Sequence, residues 1–169
     1  MTPEQFVKDY YPHALAVEKK TGISAIAILA QAALESGWGQ RAVGNALFGI
    51  KDTDGINGNE QLITTTEYLK TPNAKFPRVL KVEPVVRGGK SMFKYTVQDY
   101  FRKYDSPTDS LNDHAKFILS NPRYAKALAV KSDPYKFVEA LAAAGYATAP
   151  NYADMLKQMI ESVKKRLPK

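Results

Sequence analysis

The sequence predicts an α+β fold that is mainly helical, with a helical lobe built around one buried helix and a small β-rich lobe beside it. Three observations predict it. Residues 24–34 are almost wholly apolar yet too few to cross a bilayer, which marks the core helix of a soluble domain. Between Gly39 and about Tyr104 the texture changes to Gly, Asn, Thr and aromatic residues with two-residue alternation. Beyond Ser106, helix-capping signals return. A chain of 169 residues fits a single domain with a substantial core, divided into a helical lobe of about 1–44 and 105–169 and a β-rich lobe of about 45–104.

In order along the chain, Thr2-Pro3-Glu4-Gln5 is a capping-box pattern with proline at the first helical position. It predicts a helix ending near Gly22, with Phe6, Val7, Tyr10, Ala14 and Val17 on its inner face. Ser24 caps the apolar helix, and no polar residue interrupts it before Gln31. Strands are predicted over 61–68, 79–86 and from 92 to 97 or beyond, with Arg87-Gly88-Gly89-Lys90 as the hairpin turn between the last two. Ser106-Pro107-Thr108-Asp109 opens a helix to about Leu119, and a short helix follows Pro122. Ser132-Asp133-Pro134 opens another that stops at Gly145, and a last amphipathic helix runs from about Asn151 to Leu167. No internal repeat, low-complexity linker or heptad pattern is present.

Twenty-four Lys and Arg against 17 Asp and Glu leave a net charge of +7, which suits an anionic partner: nucleic acid, an anionic lipid surface or acidic wall polymers. Nucleic acid is disfavoured because the charges are dispersed rather than clustered with aromatics on one face. Zero cysteines and two well-separated histidines, His13 and His114, argue against a metal site, and no cofactor is expected. His114 shares a predicted helix with Leu111, Ala115 and Ile118, which favours a hydrogen-bonded core histidine over a proton shuttle. No apolar run spans a membrane, membrane insertion is not expected, and a monomer is. The first residues lack the apolar region of a signal peptide, so for work outside the cytoplasm the chain is expected to be a mature form or an excised domain.

Chemistry concentrates at the end of the apolar helix, in Ala33-Leu34-Glu35-Ser36-Gly37-Trp38-Gly39, which holds one carboxylate and the only tryptophan. A glutamate in a last helical turn is ordinarily a solvated surface residue. Here partial burial, the negative end of the helix dipole and the neighbouring indole all disfavour the ionised form of Glu35 and raise its pKa. A carboxyl group that keeps its proton near neutral pH is what a general acid requires. Gly37 and Gly39 let the backbone turn and leave Trp38 as an aromatic platform beside that acid.

This heptad resembles the signature of glycoside hydrolase family 73, glucosaminidases of the lysozyme-like superfamily. The resemblance continues in order through Asn45-Ala-Leu-Phe-Gly-Ile-Lys51, Thr66-Glu67-Tyr68, Phe101-Arg102-Lys103-Tyr104, Ser110-Leu-Asn-Asp-His114, Arg123-Tyr124 and Gly145-Tyr-Ala-Thr-Ala-Pro-Asn-Tyr152. It implies hydrolysis of the β-1,4 bond after N-acetylglucosamine in peptidoglycan, in a cleft between the two lobes and outside the cytoplasm. By the same resemblance Glu35 matches the catalytic acid and Glu67 the second carboxylate. Trp38, Phe48, Tyr124, Tyr146 and Tyr152 match aromatic positions that bind substrate or support the acid. Ala149 departs from the family pattern, which has Asp before Pro-Asn-Tyr.

Glycosidic cleavage ordinarily needs an acid plus a second carboxylate, set about 5 Å apart in retaining enzymes and about 6.5 to 9.5 Å apart in inverting ones, and the sequence leaves that choice open. It also leaves open a substrate acetamido group in place of the second carboxylate. Glu60, in Gly58-Asn59-Glu60, reads as a solvated loop residue and ranks behind Glu67. A muramidase or lytic transglycosylase and a non-catalytic wall-binding module are the competing functions.

Overall fold

The computed structural model describes residues 1–53, 57–147 and 149–169. They form two compact units: a helical one, Met1–Gly49 with Tyr104–Lys169, and a β one, Ile50–Lys103.

The helical unit begins with α1 (Pro3–Thr21). Thr2 Oγ1 accepts from the Gln5 amide at 3.1 Å, and Gly22 ends the helix in the left-handed conformation. Phe6, Val7, Ala14 and Val17 are buried as the periodicity requires, while Tyr10 is only half-buried. Next comes α2 (Ala25–Ser36), capped by Ser24, with Ala27 through Ala33 buried without interruption. This helix packs against α1, α5 (Pro134–Ala143) and α6 (Tyr152–Lys164), as a helix without a polar face must. Between them the chain forms α3 (Pro107–Ser120), capped by Ser106, a 3-10 turn over Pro122–Tyr124, and the short α4 (Ala125–Leu128). Every predicted helix is present, with ends displaced by one to three residues where helices fray.

Asn45–Gly49 group with the helical unit, although the sequence reading put them in the β-rich lobe. The reason is packing: the Leu47 amide donates to Ser110 Oγ on α3 at 3.0 Å, and the buried Phe48 ring stacks on His114 of the same helix.

The β unit is an antiparallel sheet of β1 (Glu60–Leu69), β2 (Arg78–Arg87) and β3 (Lys90–Arg102) in the order β1-β3-β2. Gly88 and Gly89 both have positive φ (55° and 77°), which the two-residue hairpin demands. In β1, Ile63, Thr65 and Glu67 are half-buried while Leu62, Thr64 and Thr66 are exposed, the alternation read from sequence. Buried apolar side chains here are few among the described residues: Tyr95, Val97 and Phe101.

Candidate active site

Glu35 is delivered by the way α2 stops. Ser36 Oγ donates to the Ala32 carbonyl at 2.6 Å and accepts from the Gly39 amide at 2.8 Å, tying the last turn to the loop beyond it. Gly37, Trp38 and Gly39 then follow with φ of 59°, 57° and 83°. Glycine takes this conformation without penalty, but Trp38 does not; a bulky residue held in left-handed backbone is strain stored beside the carboxylate. Gly37 serves a second purpose, since a Cβ there would lie 3.3 Å from the Arg41 guanidinium carbon. Arg41 folds back to donate to the Leu34 carbonyl at 3.3 Å, placing a cation at the negative end of α2.

The Trp38 ring does not stand as a free platform. It packs edge-on against Phe6 (centroids 5.7 Å apart) and under the Arg166 guanidinium at 5.5 Å. Its geometry therefore has a packing purpose that the sequence did not reveal.

Burial raises the pKa of Glu35 and is the dominant influence. A hydrogen bond from Tyr152 and the charge of Arg41 oppose it without cancelling it. Of the three causes expected from sequence, burial is the one that leads.

Tyr152, the first residue of α6, donates from its hydroxyl to Glu35 Oε1 at 2.7 Å and accepts from Gln31 Nε2 at 3.2 Å. Gln31 and Glu35 lie one turn apart on α2, so a single phenol reaches both. The Tyr152 ring lies parallel to that of Tyr146 (interplanar angle 5°, centroids 5.9 Å apart), and Tyr146 in turn meets Tyr124 at 5.9 Å and His114 at 6.0 Å. Phe48 stacks on His114 at 3.8 Å. Four of the five aromatic residues singled out from sequence thus form one chain of rings ending on Glu35. Burial, and after it the Glu35 charge, pushes the Tyr146 and Tyr152 hydroxyls well above the ordinary phenol range, so both remain donors.

His114 differs from expectation. It is buried, but neither ring nitrogen has a hydrogen-bond partner among the described residues, and burial lowers its pKa to about 3. It is a neutral aromatic plate, not a hydrogen-bonded core histidine.

In the β unit, Glu67 is not a lone carboxylate. Lys51 Nζ lies 3.3 Å from Glu67 Oε1 and 3.2 Å from Asp99 Oδ2. Glu60, expected as a solvated loop residue, is instead the half-buried first residue of β1, and its carboxylate accepts from the Gly58 amide at 2.9 Å. Among the described residues no group of three His, Cys, Asp or Glu is placed to hold a metal ion, and no helix is long and apolar enough to cross a membrane.

Gln31, Arg41, Lys51 and Asp99 escaped the sequence reading. For Gln31 a signal existed: it is the single polar residue inside an apolar helix, one turn before the acid. Lys51 closes a quoted motif, but its partners lie on strands distant in sequence.

A family model described as mannosyl-glycoprotein endo-beta-N-acetylglucosaminidase matches residues 11–165. The chain belongs to this glucosaminidase family. Its members in glycoside hydrolase family 73 include the structural neighbours, and the chain is a glycoside hydrolase. The peptidoglycan hydrolase FlgJ of Vibrio parahaemolyticus is 35% identical over 96% of this chain and 49% of its own length. The glycoside hydrolase domain of FlgJ from Salmonella typhimurium, in a C-terminally truncated form, superposes with a TM-score of 0.71 at 33% identity, covering 97% of this glucosaminidase chain and 99% of that one. A peptidoglycan hydrolase mutant from Sphingomonas sp. A1 gives a TM-score of 0.72 at 30% identity, with 96% and 97% covered. The chain spans about half or less of the length of the FlgJ relatives it matches.

Proposed function

We propose that this glucosaminidase hydrolyses β-1,4 bonds in the glycan strands of peptidoglycan, after N-acetylglucosamine, with Glu35 as general acid and Glu67 as the second carboxylate. The observation that carries the reading is the Glu35 carboxyl group, whose pKa burial raises and which Tyr152 orients at 2.7 Å. Such a group protonates the leaving glycosidic oxygen, while an ionised Glu67 serves as base or nucleophile. The peptidoglycan-hydrolase names of the relatives support the substrate, and with it a place of action outside the cytoplasm.

The aromatic residues divide by exposure. Phe48, Tyr124 and Tyr152 retain 7%, 3% and 4% of their surface, too little for a sugar to stack on, so their part is to support Glu35 and Tyr146. Tyr146, half-buried, is the member of the chain with a face to offer substrate.

Digestion of purified peptidoglycan followed by mass spectrometry tests this. New reducing ends are expected to be N-acetylglucosamine; N-acetylmuramic acid ends would establish a muramidase, and anhydro ends a transglycosylase. Glu35→Gln is expected to fold normally and lose at least about 100-fold in turnover, the scale of a general acid. Near-normal turnover in that variant removes Glu35 from the mechanism.

A further inference from the structure

The cluster around Glu67 contains more than the proposed reaction uses. Lys51 is fixed at its backbone by an isolated antiparallel bridge to Phe101 on β3, and its ammonium stands 5.6 Å from the centre of the Phe76 ring. Glu67 lies opposite Tyr95, and Asp99 opposite Ile63, so the two carboxylates belong to neighbouring strands and stand four positions apart along the ladder. One ammonium reaches both, at 3.3 and 3.2 Å. Tyr95, the titratable group directly across from Glu67, is occupied elsewhere: its hydroxyl donates to the Thr71 carbonyl and accepts from the Ala74 amide.

A partly exposed ion pair by itself contributes little to stability, so stability gives weak reason for this arrangement. Charge gives a better one. A second carboxylate must be held in one orientation to act as base or nucleophile, and an ammonium 3.3 Å from Glu67 Oε1 supplies that hold. The same carboxylate must also stay negative toward an oxocarbenium-like transition state, and a private ammonium would blunt that charge. Sharing Lys51 with Asp99 satisfies both demands, because Lys51, Glu67 and Asp99 together carry one net negative charge.

We propose that Lys51 is the positioning residue of the second carboxylate, holding Glu67 in one orientation, and that Asp99 takes up part of the ammonium's charge so that Glu67 remains an effective anion. The proposal rests on the reading of Glu67 as the second carboxylate.

The test measures kcat, KM and Tm on soluble glycan fragments for wild type, Glu67→Gln, Lys51→Met, Lys51→Arg and Asp99→Asn. Lys51→Met is expected to lower kcat about tenfold or more with little change in KM or Tm, since Glu67 loses the group that orients it. Asp99→Asn is expected to lower kcat with KM unchanged, because the ammonium then turns wholly to Glu67 and blunts its charge. Lys51→Arg should recover most of the lost rate. A merely structural ion pair would move Tm and leave kcat in the folded enzyme unchanged. If Glu67→Gln is inactive but Lys51→Met keeps wild-type kcat, the role of Lys51 is overturned and that of Glu67 stands. If Glu67→Gln turns over normally, the second-carboxylate reading fails and this proposal with it. Should Lys51→Met prove unstable by Tm, Asp99→Asn decides, and a wild-type kcat there overturns the proposal.

Discussion

Tyr152 does two opposed things to Glu35. Its hydroxyl orients the carboxyl group through the 2.7 Å bond, and by donating to the ionised form it lowers a pKa that burial raises. In wild type the basic limb of the pH profile marks where the acid loses its proton. Tyr152→Phe removes the donor, the Glu35 pKa rises further, and the acid stays protonated to higher pH. The expected result is a basic limb displaced upward together with a reduced kcat; a limb that stays in place would show that the phenol does not act on the proton. Arg41→Ala shifts the limb in the same direction, because the Arg41 charge also favours the ionised form. At this scale the sequence was informative about identity, and about partnership only through the family resemblance. Glu35 stood out by its place at the end of an apolar helix, but Tyr152 lies 117 positions away, and no local pattern links a carboxylate to a phenol across that span.

Helices and strands were legible because their signals are local. Thr2, Ser24, Ser106 and Asp133 each cap the helix they precede, as a short polar side chain at that position must, and the paired glycines after Arg87 admit only a tight hairpin. Periodicity was equally direct for α2, whose apolar run had nowhere to sit but a core. That burial carries a quantitative expectation. Ile28 is 1% exposed, so Ile28→Ala should cost about 2 to 5 kcal/mol in urea melts, while Val86→Ala, at a site 73% exposed, should change stability by less than about 0.5 kcal/mol. Equal losses would mean that α2 is not the core element. What the element scale hid was packing after the helix ends. Asn45–Gly49 look like the start of a β-rich segment by composition, yet Leu47 and Phe48 are committed to α3 through Ser110 and His114, contacts some 63 positions distant that composition cannot encode. The packing of Trp38 was hidden for the same reason, since Phe6 and Arg166 come from the far ends of the chain.

Across the whole molecule the two units differ in what holds them together. The helical unit buries most of the apolar core around α2, whereas the β unit has few buried apolar side chains among its described residues and leaves Val79, Leu80, Val82 and Val86 exposed on β2. Local opening is cheapest where buried apolar contact is thinnest. Amide hydrogen exchange should therefore report lower opening free energies for β1, β2 and β3 than for α2, and indistinguishable values would show that the units open as one. The ends of the chain lead to a different kind of consequence. Glu4 and Arg166 are 162 positions apart yet meet at 2.9 Å, with the same guanidinium lying over Trp38, three residues beyond Glu35. The polypeptide is thus nearly a closed ring, and anything joined to either terminus hangs within a few residues of the same clasp.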